Sequence, residues 1–187
     1  MSKCGSDKQR YTFNNSLLQS ARMSGRQPPP RRSAPAERFL TLREPLGPGE
    51  LERYYDLRWR VLREPWSQER GQERDQHEAA ATHLGAWMGE RLVGVGRLHF
   101  IGTDIAQIRY MAVEPTMQGK GIGGRILSEL EQRAMQGGAR RIVLNARDQA
   151  VMFYRQHGYS ITQRSETLFN AIPHWEMAKV LVCSDDS

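Results

Sequence analysis

The sequence predicts an α+β domain, a three-layer α/β arrangement on one mixed sheet. Two observations point there: three strand-like segments in a row, then a switch from alternating to helical periodicity. A third sets the scale. The chain has 187 residues, 39% of them apolar, enough for one domain with a sizeable core and too few for two ordinary ones.

Residues 38–43 open the folded part as a strand, and Gly47-Pro48-Gly49 breaks it. Residues 50–62 read as a helix with Leu51, Tyr54, Tyr55, Leu57, Arg58 and Val61 near one stripe, stopped by Pro65. Residues 67–81 are a charged stretch, part loop and part helix. Residues 83–88 and 92–100 are strands joined by a Gly89-Glu90 turn, and 106–113 follow a second turn at Gly102-Thr103-Asp104. These three strands predict an antiparallel meander. Over 121–136, Ile122, Ile126, Leu127, Leu130 and Ala134 recur at helical spacing, and Gly137-Gly138 ends the helix. Residues 141–146 are a short apolar strand, so the step from 106 to 146 predicts a right-handed crossover. Asp148 caps a helix over 149–157, and Gly158 stops it. Strands at 159–162 and 173–182 finish the domain, with a loop at 163–172 between them.

The net charge of +6 is uneven. Residues 1–36 hold seven Lys/Arg against the single acid Asp7, which leaves twenty bases and twenty acids for the rest. With Pro28-Pro29-Pro30 before Arg31-Arg32, this segment reads as a disordered basic Pro/Arg/Ser-rich arm, and 37–187 as the domain. A short helix at 13–23 is the alternative within the arm. The neutral body argues against nucleic acid as a partner. The N-terminal residues lack the apolar stretch of a secretory signal and no membrane-length apolar run is seen, so neither a leader nor a span is expected. Cys4 and Cys183 lack metal-ligand spacing, so neither a disulfide framework nor a metal site is expected, and the cytoplasm is the expected compartment.

The most informative stretch runs Met111-Ala112-Val113-Glu114-Pro115-Thr116-Met117-Gln118-Gly119-Lys120-Gly121-Ile122-Gly123-Gly124. A strand ends at Val113, a Gly-rich turn follows, and a helix begins inside it. Bare N–H groups and the helix dipole at such a start attract phosphate. The nucleotide P-loop is excluded because Gly121, not Ser or Thr, follows Lys120. A dinucleotide fold needs an acid after the next strand, where Asn145-Ala146-Arg147 stands instead. A Gly-rich helix start with no ligand stays open on these residues alone.

Gln118-Gly119-Lys120-Gly121-Ile122-Gly123 resembles the Gln/Arg-x-x-Gly-x-Gly/Ala signature of the GCN5-related N-acetyltransferase (GNAT) superfamily. About thirty residues on, Phe153-Tyr154-Arg155-Gln156-His157-Gly158-Tyr159 looks like its second signature. The segment Ile172-Pro173-His174-Trp175-Glu176-Met177 is similar to the ElaA-like branch. The resemblance covers roughly 38–182. It implies a mixed, mostly antiparallel sheet with helices on both faces and a splayed cleft for acetyl-CoA, the co-substrate. It also implies pyrophosphate on the amides of Gln118, Gly119, Lys120, Gly121, Ile122, Gly123 and Gly124. Pantetheine would then run along Met111, Ala112 and Val113. Many members carry an Asn seven residues before the signature Tyr. Here that position is Arg147, so Asn145 takes the assignment to CoA binding.

The implied reaction is direct attack of an amine on the thioester in a ternary complex. Resemblance makes Tyr154 the acid that protonates the leaving thiolate. His174 is preferred as base over His99, Glu114 and Glu166. Arg97 and His99, alternating with Val95, Leu98 and Phe100, are expected to line the acceptor pocket. Trp66 and the acidic stretch 69–78 form either a lid over it or a solvated loop. The acceptor is a small-molecule or peptide amine, and a homodimer is a common state of the resembled superfamily. Two competing functions are a non-catalytic acyl-CoA-binding regulatory module and a nucleic-acid-associated protein acting through the basic arm. The first predicts cofactor binding without turnover, and the second predicts binding that weakens steeply with salt.

Overall fold

The structure, a computed structural model, describes residues 39–169 and 171–181. The expected arm at 1–36 lies outside the described residues, as do positions 38 and 182 of the expected first and last strands. The order is β1 (Leu40–Arg43), α1 (Gly47–Leu62), β2 (Thr82–Met88), β3 (Arg91–Phe100), β4 (Ile105–Val113), α2 (Ile122–Gln136), β5 (Arg141–Arg147), α3 (Val151–Gln156), β6 (Ser160–Leu168) and β7 (Ile172–Val180).

Seven strands form one sheet in the order β1-β2-β3-β4-β5-β7-β6. Every adjacent pair is antiparallel except β4–β5, which is parallel and joined through α2. The expected meander is therefore β2–β3–β4. Its first turn is two residues long because Met88 pairs with Arg91, and Gly89 supplies the positive φ of 60° that such a tight turn requires.

β3 carries a helix on each face, and the register shift opposite Ala86 and Trp87 lets Val93 and Val95, two residues apart, face opposite ways. Val93 and Leu98 join the cluster of α2, with Ile126, Leu127 and Leu130 at 0% exposure. Val95 joins the cluster of α1, with Tyr54 and Leu57. The Tyr54 hydroxyl donates to the Gly96 carbonyl at 2.7 Å, which fixes α1 on the sheet. α1 begins three residues earlier than the sequence pattern gives. Pro48 suits a first helical turn, and the Glu50 carboxylate accepts the Leu46 N–H at 2.7 Å and two bonds from Arg43.

Three expectations are corrected. The loop at 163–172 is mostly strand. β6 runs on to Leu168, paired with β7 through two register shifts. Asp148 does not cap a helix over 149–157. It starts a 3-10 turn, Asp148–Ala150, its carboxylate accepts Trp175 Nε1 at 2.8 Å, and α3 begins at Val151. The stretch 67–81 contains only a 3-10 turn at Glu78–Ala80, preceded by another at Glu64–Trp66.

Candidate active site

The site begins where the sheet comes apart. β4 and β5 pair only from Ile105↔Arg141 to Ile108↔Leu144. Beyond that point β4 stays with β3 and β5 with β7, so two facing strand edges diverge. A shift in the β3–β4 register sits beside the opening, between Val95 and Arg97. On β4, Tyr110 holds φ at +55°, a rare conformation for a bulky residue and one that cores retain only where packing enforces it.

The cleft between the edges is lined by Met111, Asn145, Arg147, Tyr154, Glu166 and His174, among others. Tyr154 is 9% exposed. Its hydroxyl has no hydrogen-bond partner among the described residues, and burial alone pushes the phenol well above its ordinary range. His174 faces Arg147 across the β5–β7 ladder. Its Nδ1 lies 2.9 Å from the Ile172 carbonyl, so Nδ1 carries the proton and Nε2 keeps a lone pair. Burial lowers the imidazole pKa, and the charges of Arg147, Arg63 and Arg109 push the same way. Neutral imidazole is the form a general base needs.

At one end of β4 lies the Gly-rich turn. A 3-10 turn, Pro115–Met117, leads into it, and Gln118 Nε2 closes it by donating to the Val113 carbonyl at 3.1 Å. Gly121 is the N-cap of α2 at φ 76°, with no side-chain cap and no acid in the first helical turn. Among the described residues, the N–H groups of 119–124 have no protein acceptor. Nothing lies within 4 Å of where a side chain on Gly119 or Gly121 would begin. Open amides, dipole and clear space are what a diphosphate requires, so the residues present fit the pyrophosphate of a CoA thioester. Gly123 faces Phe153, which ties the turn to α3 and hence to Tyr154.

A cleft at a sheet fork, an open phosphate turn and a buried phenol define an acyltransferase working on a CoA thioester. The sequence profile of the acetyltransferase (GNAT) family matches residues 51–159, and the chain belongs to that family as an acetyl-CoA-dependent N-acetyltransferase. It is 36% identical over 108 residues to the uncharacterized N-acetyltransferase YjcF of Bacillus subtilis (strain 168), covering 58% of this chain and 76% of that one. The fold matches an aminoglycoside 6'-N-acetyltransferase complexed with coenzyme A (TM-score 0.65, 17% identity, 79% of this chain, 99% of that chain). It also matches Escherichia coli ElaA (TM-score 0.58, 17% identity, 75% of this chain, 98% of that chain).

Among the expected site residues, Met111, Asn145, Tyr154 and His174 meet in the cleft, while Gln118 to Gly124 form the turn. Ala112 is 5% exposed and packs toward α1, so its side chain is core and only its backbone is available. Arg97 and His99 stand elsewhere. Arg97 is fully buried and bonds Asp75 at 2.6 and 3.0 Å and Glu78. His99 is 3% exposed and stacks on His77 at 4.4 Å, and neither residue lines the cleft. Glu114 is held by Arg60 at 2.7 Å. The acidic stretch is not a solvated loop. Asp75 bridges Arg97, Arg109 and the Tyr110 hydroxyl, and Glu78 pairs with fully buried Arg58 at 2.9 Å. Sequence reading missed Arg63 and Arg109 on the cleft wall and used Arg147 only as a departure from the motif. The one available signal was that departure, an Arg at the end of a buried strand.

Proposed function

We propose that the protein transfers acetyl from acetyl-CoA to a primary amine by direct attack in a ternary complex. One observation carries the reading: the fork between β4 and β5 holds both a phenol, Tyr154, with no hydrogen-bond partner among the described residues, and a neutral imidazole, His174. In this reading the amides of residues 118–124 hold the diphosphate, and the backbone of Met111, Ala112 and Val113 with Asn145 holds the pantetheine arm. The bound co-substrate supplies an activated acyl group on a good leaving thiolate.

His174 Nε2 takes the amine proton, directly or through water. A backbone N–H near Met111 to Val113 stabilises the developing oxyanion. Tyr154 delivers its proton to the leaving sulfur. Burial raises the phenol, and a thiolate desolvated in the same cleft gains basicity too, so the two groups stay comparable. The sequence similarity to the ElaA-like branch around His174 supports the same placement. The catalytic unit is 37–187.

The test is thiol release from acetyl-CoA across a panel of primary amines, with calorimetry of acetyl-CoA binding alongside. Turnover with at least one amine is the expected result. Tight acetyl-CoA binding with no turnover on any amine would replace this reading with a regulatory CoA-binding module.

A further inference from the structure

Among the described residues, Arg63 and Arg147 are two cations with no carboxylate within ion-pairing distance. Both line the cleft that holds Tyr154 and His174. Arg63 is 8% exposed, and its Nε and Nη1 donate only to the backbone carbonyls of Gln72 (2.9 Å) and Leu62 (3.1 Å). Arg147, half-buried at the end of β5, donates only to the Leu62 carbonyl, at 2.9 Å. Among the described residues neither forms an ion pair, although thirteen Arg or Lys pairs with a carboxylate occur and buried Arg58 and Arg97 each have a carboxylate. Burial lowers the pKa of both, and for Arg147 the charge of Arg63 lowers it further. A desolvated cation is costly unless paired, and two together are costlier. The Leu62 carbonyl, at the C-terminus of α1, answers two full charges with a partial one.

Their position says which ligand is meant. The phosphate turn adjoins Phe153 and His157 at the start of α2. Arg63 instead sits at the end of α1, with Tyr110 and Phe169 each 5.6 Å from its guanidinium carbon. Arg109, the third cation on this wall, already has Asp75 at 3.1 Å. Free N–H groups of Arg63 and Arg147 therefore remain on the His174 side of the cleft.

We propose that the acceptor is an amine that also carries a carboxylate, held by Arg63 and Arg147 with its amino group toward His174. This rests on the acetyltransfer reading and narrows its substrate class. A planar carboxylate accepts two parallel N–H bonds from a guanidinium, which fixes orientation as well as affinity. Its charge also offsets the field that lowers His174, so binding the correct substrate strengthens the base. Neutral or cationic amines lack that effect and leave both cations unpaired.

The experiment compares amino acids with their decarboxylated amines of matched side chain in thiol release, using the whole chain. Carboxylate-bearing amines are expected to be better by at least ~30-fold in kcat/KM, the scale of one buried charged hydrogen-bonded pair. Arg147→Gln is expected to raise KM for them at least ~10-fold and to shrink the preference, with Arg147→Lys intermediate. Equal or better turnover of the decarboxylated amines overturns the carboxylate while leaving acetyltransfer intact. If no amine turns over, calorimetry of N-acetyl amino acids against CoA-loaded protein decides. Binding that weakens when the carboxylate is amidated supports the site, and indifference to amidation overturns it.

Discussion

The guanidinium groups of Arg63 and Arg147 converge on a single acceptor, the Leu62 carbonyl, at 3.1 and 2.9 Å. Leu62 is the last residue of α1, so both cations meet the negative end of a 16-residue helix dipole. That geometry makes the pair tolerable in the folded protein and ties the end of α1 to the end of β5. A change at Arg147 is felt through α1 as well as in the cleft.

Tyr154→Phe removes the only proposed proton donor for the thiolate and leaves the ring in place. The expected outcome is a fall in kcat of about 10²-fold or more with little change in acetyl-CoA affinity. Steady-state kinetics with calorimetry separate the two, and unaltered kcat would strip Tyr154 of its role.

Gly121→Val puts a β-branched residue at φ 76° and over the open amides. Backbone strain there is about 1–3 kcal/mol. Acetyl-CoA affinity is expected to drop at least ~10-fold, measured by calorimetry. Full affinity would contradict the phosphate seat.

His174 has a lowered pKa, so it is neutral further into acid than an ordinary histidine. As pH falls, kcat/KM expressed on the concentration of neutral amine, so that the acceptor's own ionisation is divided out, is expected to hold through pH 6.5 and decline only below it. A pH–rate profile checks this. Replacement by Ala should lower the plateau ~10²-fold and remove that limb, and a limb that survives belongs to another group.

His99 is pushed down to about 4 by burial, with Arg97 and His77 adding to it. The unfolded chain takes up this proton near 6.5 and the folded chain only near 4, so the stabilising effect is complete above 6.5 and lost as pH falls toward 4. Urea midpoints at pH 7 and pH 4.5 are expected to differ by about 1–3 kcal/mol in stability from this group. His99→Phe should flatten that step. The carboxylate Asp75 contributes in a separate window, because its pKa is held below the ordinary value of 3.8 and its effect is lost only in stronger acid.

Arg97→Met takes one cation from Asp75, which keeps Arg109 and the Tyr110 hydroxyl, and one from Glu78, which keeps Arg58. Removing one member of a buried ion-paired network costs up to about 3–5 kcal/mol. Denaturant unfolding is expected to show a loss of that size. A loss under about 1 kcal/mol would mean that the network holds nothing in place.

What the sequence revealed follows from what each feature is made of. α2 and its turn were legible because Ile122, Ile126, Leu127 and Leu130 keep helical spacing behind a run of glycines. β6 was not, because Gln163, Arg164, Ser165, Glu166 and Thr167 carry no apolar alternation. They are strand through hydrogen bonds to β7, at the sheet's edge. The Arg58–Glu78 and Arg97–Asp75 pairs were invisible for another reason. Their members lie 20 and 22 residues apart, and a charged residue read alone looks solvated. That Arg97 meets Asp75 and Glu78, and His99 meets His77, was hidden for a related reason: alternation gives the face of a strand but not what covers that face.

The short β4–β5 register has a further consequence. The ladder between the two halves of the sheet is only four residue pairs long. A ligand lying along both loose margins acts as a clasp between the halves, adding resistance to heat and to proteases that grows with the logarithm of its concentration above Kd. Supply of the thioester then governs how long each molecule survives as well as how fast it works. Protein without its co-substrate is then expected to unfold and be cleaved sooner, not merely to stand idle.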